Sequence, residues 1–249
     1  MAESYNYFPF AGEIILGAFE IIRISDGESA QTPTTTQYTR AANALNQMLT
    51  AWQADGLQLW TRKTTSFSLT EGTINYEIGS GGTINVNRPM KIYNAWRHDL
   101  IGGTDVPIAV VSEREYNEYN NKAQEGTPIA LYYNPRYESN GVQEGSTAKG
   151  LISIYNPADA NAAANYSIFI NYQRPFNDFT PGNYATETLD FPQEWNDAIK
   201  YNLAVRLGNH YGIPMLEWDR IRSLAKELRE EAMSFDTEWQ SLRIQPKTQ

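Results

Sequence analysis

The sequence predicts an α+β fold: a four-helix bundle made from N- and C-terminal helix pairs, with a mainly antiparallel β-region inserted between them. Three observations carry this expectation. Apolar residues recur with a 3.6-residue period near both ends of the chain. The period changes to two after Leu57 and stays there for roughly a hundred residues. Glycine, proline and threonine clusters fall where the period changes.

The first helix spans about 12–24, with Ile14, Ile15, Ala18, Phe19 and Ile22 on one stripe. A second follows the Thr-Pro-Thr-Thr-Thr run. It starts either with Thr32 as cap and Pro33 in the first turn, or with Thr34 as cap and Gln37 three residues on. Its apolar face is Tyr38, Ala41, Ala42, Leu45, Met48, Leu49 and Trp52, and Gly56 is its expected stop. Phe67 and Leu69 alternate with polar residues, as do Ile74, Tyr76 and Ile78. With "TEGT" between them, these two runs read as a hairpin. Further strands are expected at 90–97, 106–111, 128–133, 151–155 and 166–172. Ser112 with Glu115 forms a capping box for a short helix, and 134–149 reads as a long loop. A third long helix runs through 190–211, with Trp195, Ala198, Ile199, Leu203 and Leu207 on one face and Gly212 and Pro214 at its end. The last helix, about 215–235, places Trp218, Ile221, Ala225, Leu228, Ala232 and Phe235 at alternating spacings of three and four, a coiled-coil-like seam.

The expected domains are a helical bundle from 1–60 and 186–236, an inserted β-rich domain over 61–185, and an extended tail over 237–249. The bundle core is assigned to Ile15, Phe19, Leu45, Leu49, Trp52, Trp195, Ile199, Leu203, Trp218, Ile221 and Leu228. Isolated helices of this length are marginal in water, so the two pairs are expected to pack on each other.

Composition narrows the function. The 249 residues hold no cysteine, which excludes disulfides and thiolate metal sites. A net charge of −9 argues against duplex-DNA binding by the whole surface. No run is long and apolar enough for a transmembrane helix, and "MAESYNYFPF" lacks the form of a secretory signal. Glu113, Glu115 and Glu118 are close in sequence, as are Glu227, Glu230 and Glu231, yet nothing buries any of them as paired acid–base chemistry requires. The histidines, His98 and His210, share no ligand spacing. "IGSGGT" at 78–83 opens no helix and precedes no Lys-Ser or Lys-Thr, so it is a turn rather than a phosphate cradle. No catalytic, cofactor or metal residue is assigned, and no cofactor is expected. Tyr116, Tyr119, Tyr133 and Tyr137 lie among Asn, Pro and Gly, a composition suited to a ring or tail interface. Beyond 236, Trp239, Leu242, Arg243 and Ile244 read as a docking peptide.

Taken together, "ALNQMLTAWQADGLQLW", "FSLTEGTINYEIGSGG", "RPMKIYNAW" and "FPQEWNDAIKYNLAVRLGNHYGI" resemble the head-to-tail adaptor (connector) proteins of short-tailed bacteriophages, also called tail tubular protein A or packaged-DNA stabilisation proteins. The resemblance covers roughly 12–100 and 165–235. It implies a structural virion protein and not an enzyme. Twelve copies would dock under the portal ring, help retain packaged DNA, and form the attachment platform for the tail tube or nozzle. The tail would reach into the portal. The protein would be assembled in the host cytoplasm, reside in the virion neck, and enclose double-stranded DNA without reading its sequence or touching a membrane. Twelve copies at −9 apiece carry roughly −108, which would let DNA slide past without sticking. The alternative expectation is a cell-wall glycan hydrolase or a glycan-binding tail component.

Overall fold

The structure is a computed structural model, and it describes residues 9–23, 33–53, 59–135, 149–177 and 179–235. The chain divides into two compact units. Met1–Leu59 and Phe176–Gln249 form one, and Trp60–Pro175 forms the other.

The helical unit contains α1 (Ala11–Ile21), α2 (Thr35–Gln53), α5 (Asn196–Tyr211) and α6 (Met215–Phe235). Helix α1 begins where the Glu13 carboxylate accepts the Phe10 N–H at 3.0 Å. Helix α2 begins at Thr34. The Thr34 hydroxyl accepts the Gln37 N–H at 3.3 Å, and the Gln37 side-chain oxygen Oε1 accepts the Thr34 N–H at 2.7 Å. This reciprocal pair selects Thr34 over Thr32 as the cap. Helix α5 packs against α1, α2 and α6, which explains why apolar residues occupy more than one of its faces. Ile15, Phe19, Leu45, Ile199 and Leu203 have no exposed surface. Each contributes about 1.5–3 kcal/mol by leaving water. Leu49, Trp52, Trp195 and Ile221 are also buried, while Trp218 and Leu228 are half-buried. Helix α5 stops at Gly212, whose φ of +68° lies in the left-handed region that a side chain resists. Helix α6 then runs back along α5. The Asn202 amide donates to the Ala225 carbonyl at 2.9 Å, and the Trp218 indole donates to the Val205 carbonyl at 3.5 Å.

The second unit holds β1 (Arg62–Ser68), β2 (Asn75–Gly79), β3 (Lys91–Asp99), β4 (Asp105–Val111), α3 (Glu113–Glu118), β5 (Ala130–Asn134), β6 (Lys149–Tyr155), α4 (Ala160–Asn165) and β7 (Tyr166–Gln173). The strands form one seven-stranded sheet in the order β1-β7-β3-β4-β5-β6-β2. All neighbours are antiparallel except β4 and β5, which run parallel. Residues 112–129, including α3, supply the crossover that a parallel pair needs. The buried face carries Tyr76, Ile78, Leu131, Ile152, Ile154, Ile168 and Ile170, alternating along the strands with more exposed residues.

Two expectations are corrected here. The fold is α+β, but its dominant element is this curled, mixed seven-stranded sheet, accompanied among the described residues by six α-helices. A four-helix bundle carrying a mainly antiparallel insert does not describe it. Periodicity identifies strands but not their partners, and it gave no sign of the parallel pair. The hairpin expected across "TEGT" is also absent. Its two strands pair with β7 and β6 and stand at opposite edges of the sheet. Curling brings those edges together through side chains. The Phe67 and Tyr76 rings lie 5.1 Å apart, and the Tyr76 hydroxyl accepts the Thr70 N–H at 2.9 Å.

Candidate functional site

The groove with the most distinctive chemistry lies in the helical unit, between α2 and α5. Arg40, Asn43, Ala44 and Gln47 form one wall, and Leu207, His210 and Tyr211 form the other, around about 410 Å³. The α2 residues are spaced i, i+3, i+4 and i+7, so they share one helix face, adjacent to the buried stripe of Ala41, Leu45 and Met48. Leu207 is buried at the floor, while Arg40, Asn43, Gln47 and His210 are exposed at the rim. Among the described residues no carboxylate lines this groove, although Asp and Glu outnumber Lys and Arg by 29 to 20 in the chain. It can hold an apolar side chain at the floor and an acceptor at the rim.

A second groove, of about 360 Å³, runs between α1 and the start of α5 and is lined by Glu13, Glu20, Asp197 and Lys200 among others. Its charges are partly spoken for. Glu13 caps α1, and Lys200 donates to Asp197 at 2.6 Å.

In the sheet unit the β3–β4 turn presents an apolar pair. Leu100 is 58% exposed and Ile101 80% exposed. The turn is fixed by Asp99, whose carboxylate accepts the Ile101 and Gly102 N–H groups at 2.8 and 2.9 Å. Those two donors hold the Asp99 pKa below the ordinary carboxylate value. At the base of the turn His98 meets Asp105 at 2.7 Å. A second apolar pair, Met215 and Leu216, opens α6 at 79% and 87% exposed. Exposed aliphatic pairs of this kind suit burial against a partner.

The tyrosines expected at an interface are placed differently from one another. Tyr116 is buried: it stacks on Tyr132 with centroids 5.6 Å apart and donates to the Ile154 carbonyl at 3.4 Å. Tyr119 is half-buried and stacks on Tyr155 at 4.2 Å. Tyr133 lies over Gly150 and donates to the Pro89 carbonyl, and burial holds its phenol well above the ordinary range. Tyr137 and the tail residues Trp239, Leu242, Arg243 and Ile244 lie outside the described residues.

The carboxylates weighed for acid–base work are exposed on helix surfaces. Glu115 accepts the Ser112 N–H at 2.8 Å as a cap, and this lowers its pKa. Glu118 pairs with Arg114 and Glu230 with Lys226. "IGSGGT" forms a turn in which the Ile84 N–H donates to the Glu77 carbonyl at 2.9 Å. Among the described residues no three His, Asp or Glu side chains converge as a metal site, and no helix is long and apolar enough to cross a membrane. Sequence reading missed the α2–α5 groove and both exposed aliphatic pairs. The i, i+3, i+4, i+7 spacing from Arg40 was the available signal, but a polar stripe on a helix ordinarily means a solvated face.

No known family's sequence profile matches the chain, and comparison with curated protein sequences finds no significant match.

Proposed function

We propose that the protein is a head-to-tail adaptor of a short-tailed bacteriophage. In this reading it is a structural component of the virion neck: twelve copies dock under the portal, help retain packaged DNA, and give the tail tube or nozzle its platform. The observation that carries the reading is the division of the chain. Segments from both sides of Trp60–Pro175 fold as one helical unit, and the segment between them folds as a separate sheet unit. The stretches that resemble adaptors fall on α2, β1, β2, β3 and α5, so they contribute to both units. A ring protein must offer distinct surfaces to the components above, below and beside it. Each unit here carries its own exposed aliphatic pair, Leu100–Ile101 in one and Met215–Leu216 in the other, which suits two different partners. Net charge of −9 per copy suits a channel through which DNA passes unbound.

Native mass spectrometry of the purified protein, alone and with its phage's portal ring, tests this. The expected result is a largely monomeric protein alone and a twelve-copy addition on the portal. A folded protein that ignores the portal, or a stable monomer or trimer that binds cell-wall glycan instead, refutes it.

A further inference from the structure

We infer that the groove between α2 and α5 receives the segment that follows α6 in a second copy of this chain. Trp239 seats on Ala44, Leu207 and Tyr211, and the carboxylates of Asp236 and Glu238 meet Arg40 and His210. The contact concerns copies of this chain with each other; it seats Trp239 on a neighbouring copy in place of the portal and otherwise does not rest on the adaptor reading.

The first argument is chemical complementarity. The groove has an apolar floor, a guanidinium and an imidazole at its rim, amides from Asn43 and Gln47, and, among the described residues, no carboxylate. The segment after Phe235 reads "DTEWQSLRIQ". It begins with two carboxylates and then offers an indole. Aromatic anchors entering a floor of this kind bring the largest apolar area per residue, and rim charges fix the register. The amides of Asn43 and Gln47 supply donors and acceptors for the backbone of an extended segment.

The second argument is reach. Helix α6 runs antiparallel to α5, with Ala225 beside Asn202. From that level α6 continues ten residues to Phe235, about 15 Å at 1.5 Å per residue. The groove lies in the opposite direction, at Leu207–Tyr211, about 7–14 Å beyond Asn202 by the same rise. The start of the segment and the groove in one copy are therefore about 22–29 Å apart along the helices. Trp239 follows Phe235 by four residues, and four extended residues span at most about 14 Å. Four extended residues fall short of that separation, so the segment of a neighbouring copy, and not the copy's own, is the proposed occupant. The C-terminal end of α6 and the acceptor groove lie at opposite ends of the helical unit, so the proposed contact is head-to-tail. Such contacts close into rings when the rotation allows, and otherwise run on as filaments.

The absence of cysteine gives a clean background for disulfide trapping in the full chain. The double variant N43C/Q240C, under mild oxidation, is expected to give a ladder of interchain-linked species well above that of either single variant. Trapping captures a minority contact, so it reads out even where the protein is largely monomeric. An intrachain link, or a yield no higher than the single variants, overturns the inference. Charge exchange provides the second measurement. Adding R40E, or D236K with E238K, is expected to cut the trapped yield about tenfold. Mixing chains that carry N43C and R40E with chains that carry Q240C, D236K and E238K should restore it. A mixture that stays at background overturns the inference. Portal binding lost on deleting 237–249, with trapping at background, assigns the segment to the portal and likewise overturns it. Failure of the unmodified chain to bind portal bears only on the adaptor reading.

Discussion

Gly150 on β6 should tolerate no side chain, and the cost can be worked from its surroundings. A Cβ there would stand 2.6 Å from Cε2, 2.8 Å from Oη and 3.0 Å from Cζ of Tyr133. The ring cannot swing away freely, because its hydroxyl donates to the Pro89 carbonyl. Gly150→Ala therefore overpacks the site, at about 1–3 kcal/mol, and weakens a hydrogen bond of about 1 kcal/mol. The lost glycine freedom in the unfolded chain offsets about 0.4–1 kcal/mol. A net destabilisation of about 1–3.5 kcal/mol remains. Urea unfolding followed by hydrogen exchange at β2, β5 and β6 reads this in the sheet unit. In a Tyr133→Ala background the same substitution should be neutral or slightly stabilising, since the obstructing ring is gone. A penalty below about 0.5 kcal/mol, or one unchanged in that background, refutes the reasoning. The phenol adds a pH signature. Its folded pKa is raised above the ordinary 10.0, so its contribution is fully present below pH 10.0. It is lost as pH climbs from there through the folded value, because the unfolded chain ionises first. Tyr133→Phe should remove that part of the alkaline slope.

Leu203→Ala should destabilise the helical unit by about 2–5 kcal/mol, read as a lower urea midpoint with an unchanged slope, since the side chain is fully buried where α5 meets its neighbours. Ser112→Ala removes the hydroxyl that caps α3 and should cost about 1 kcal/mol, seen as faster exchange at the Glu115 amide. Asp99 should titrate below the ordinary 3.8 by carboxyl NMR. Its contribution to the turn is then present above that ordinary value and disappears as pH falls through the lowered one. Asp99→Ala should speed exchange at Ile101 and Gly102 while leaving the buried strands protected.

The helices were legible because one face of each meets the core. The stripes of Leu45, Leu49 and Trp52 on α2, and of Ile199 and Leu203 on α5, follow directly from that contact. Strands were legible for the same reason at period two, as Ile168 and Ile170 illustrate. Partnership was not. Arg62 opposes Gln173, more than a hundred residues away, and nothing in local spacing encodes that. Turn residues at "TEGT" next to two alternating runs imitate a hairpin whenever the sheet curls far enough for its edges to meet. Helix α4 escaped notice because "ANAAAN" has no large apolar stripe, although Asp159 caps it by accepting the Ala162 N–H at 2.7 Å. The stretch from 176 to 185 was expected in the β-rich domain. It belongs with the helices, where the Phe179 carbonyl accepts from Asn46 and Tyr184 stacks on Tyr38 at 4.7 Å. As for the groove, one wall was written in α2, but only folding brings His210 and Tyr211 opposite it.

Strands β1 and β7 lie side by side, and the Arg174 N–H donates to the Thr61 carbonyl at 3.0 Å where the chain enters and leaves the sheet unit. A folded sheet thus acts as a clasp. It shortens the tether between the two halves of the helical unit from the whole of Trp60–Pro175 to a few residues. Closing the longer loop would cost about 3 kcal/mol more in chain entropy. The helices inherit that difference from the folding of the sheet unit. Loosening the sheet should therefore lower the melting point of the helices, and replacing the sheet with a short turn between residues 61 and 174 should preserve it.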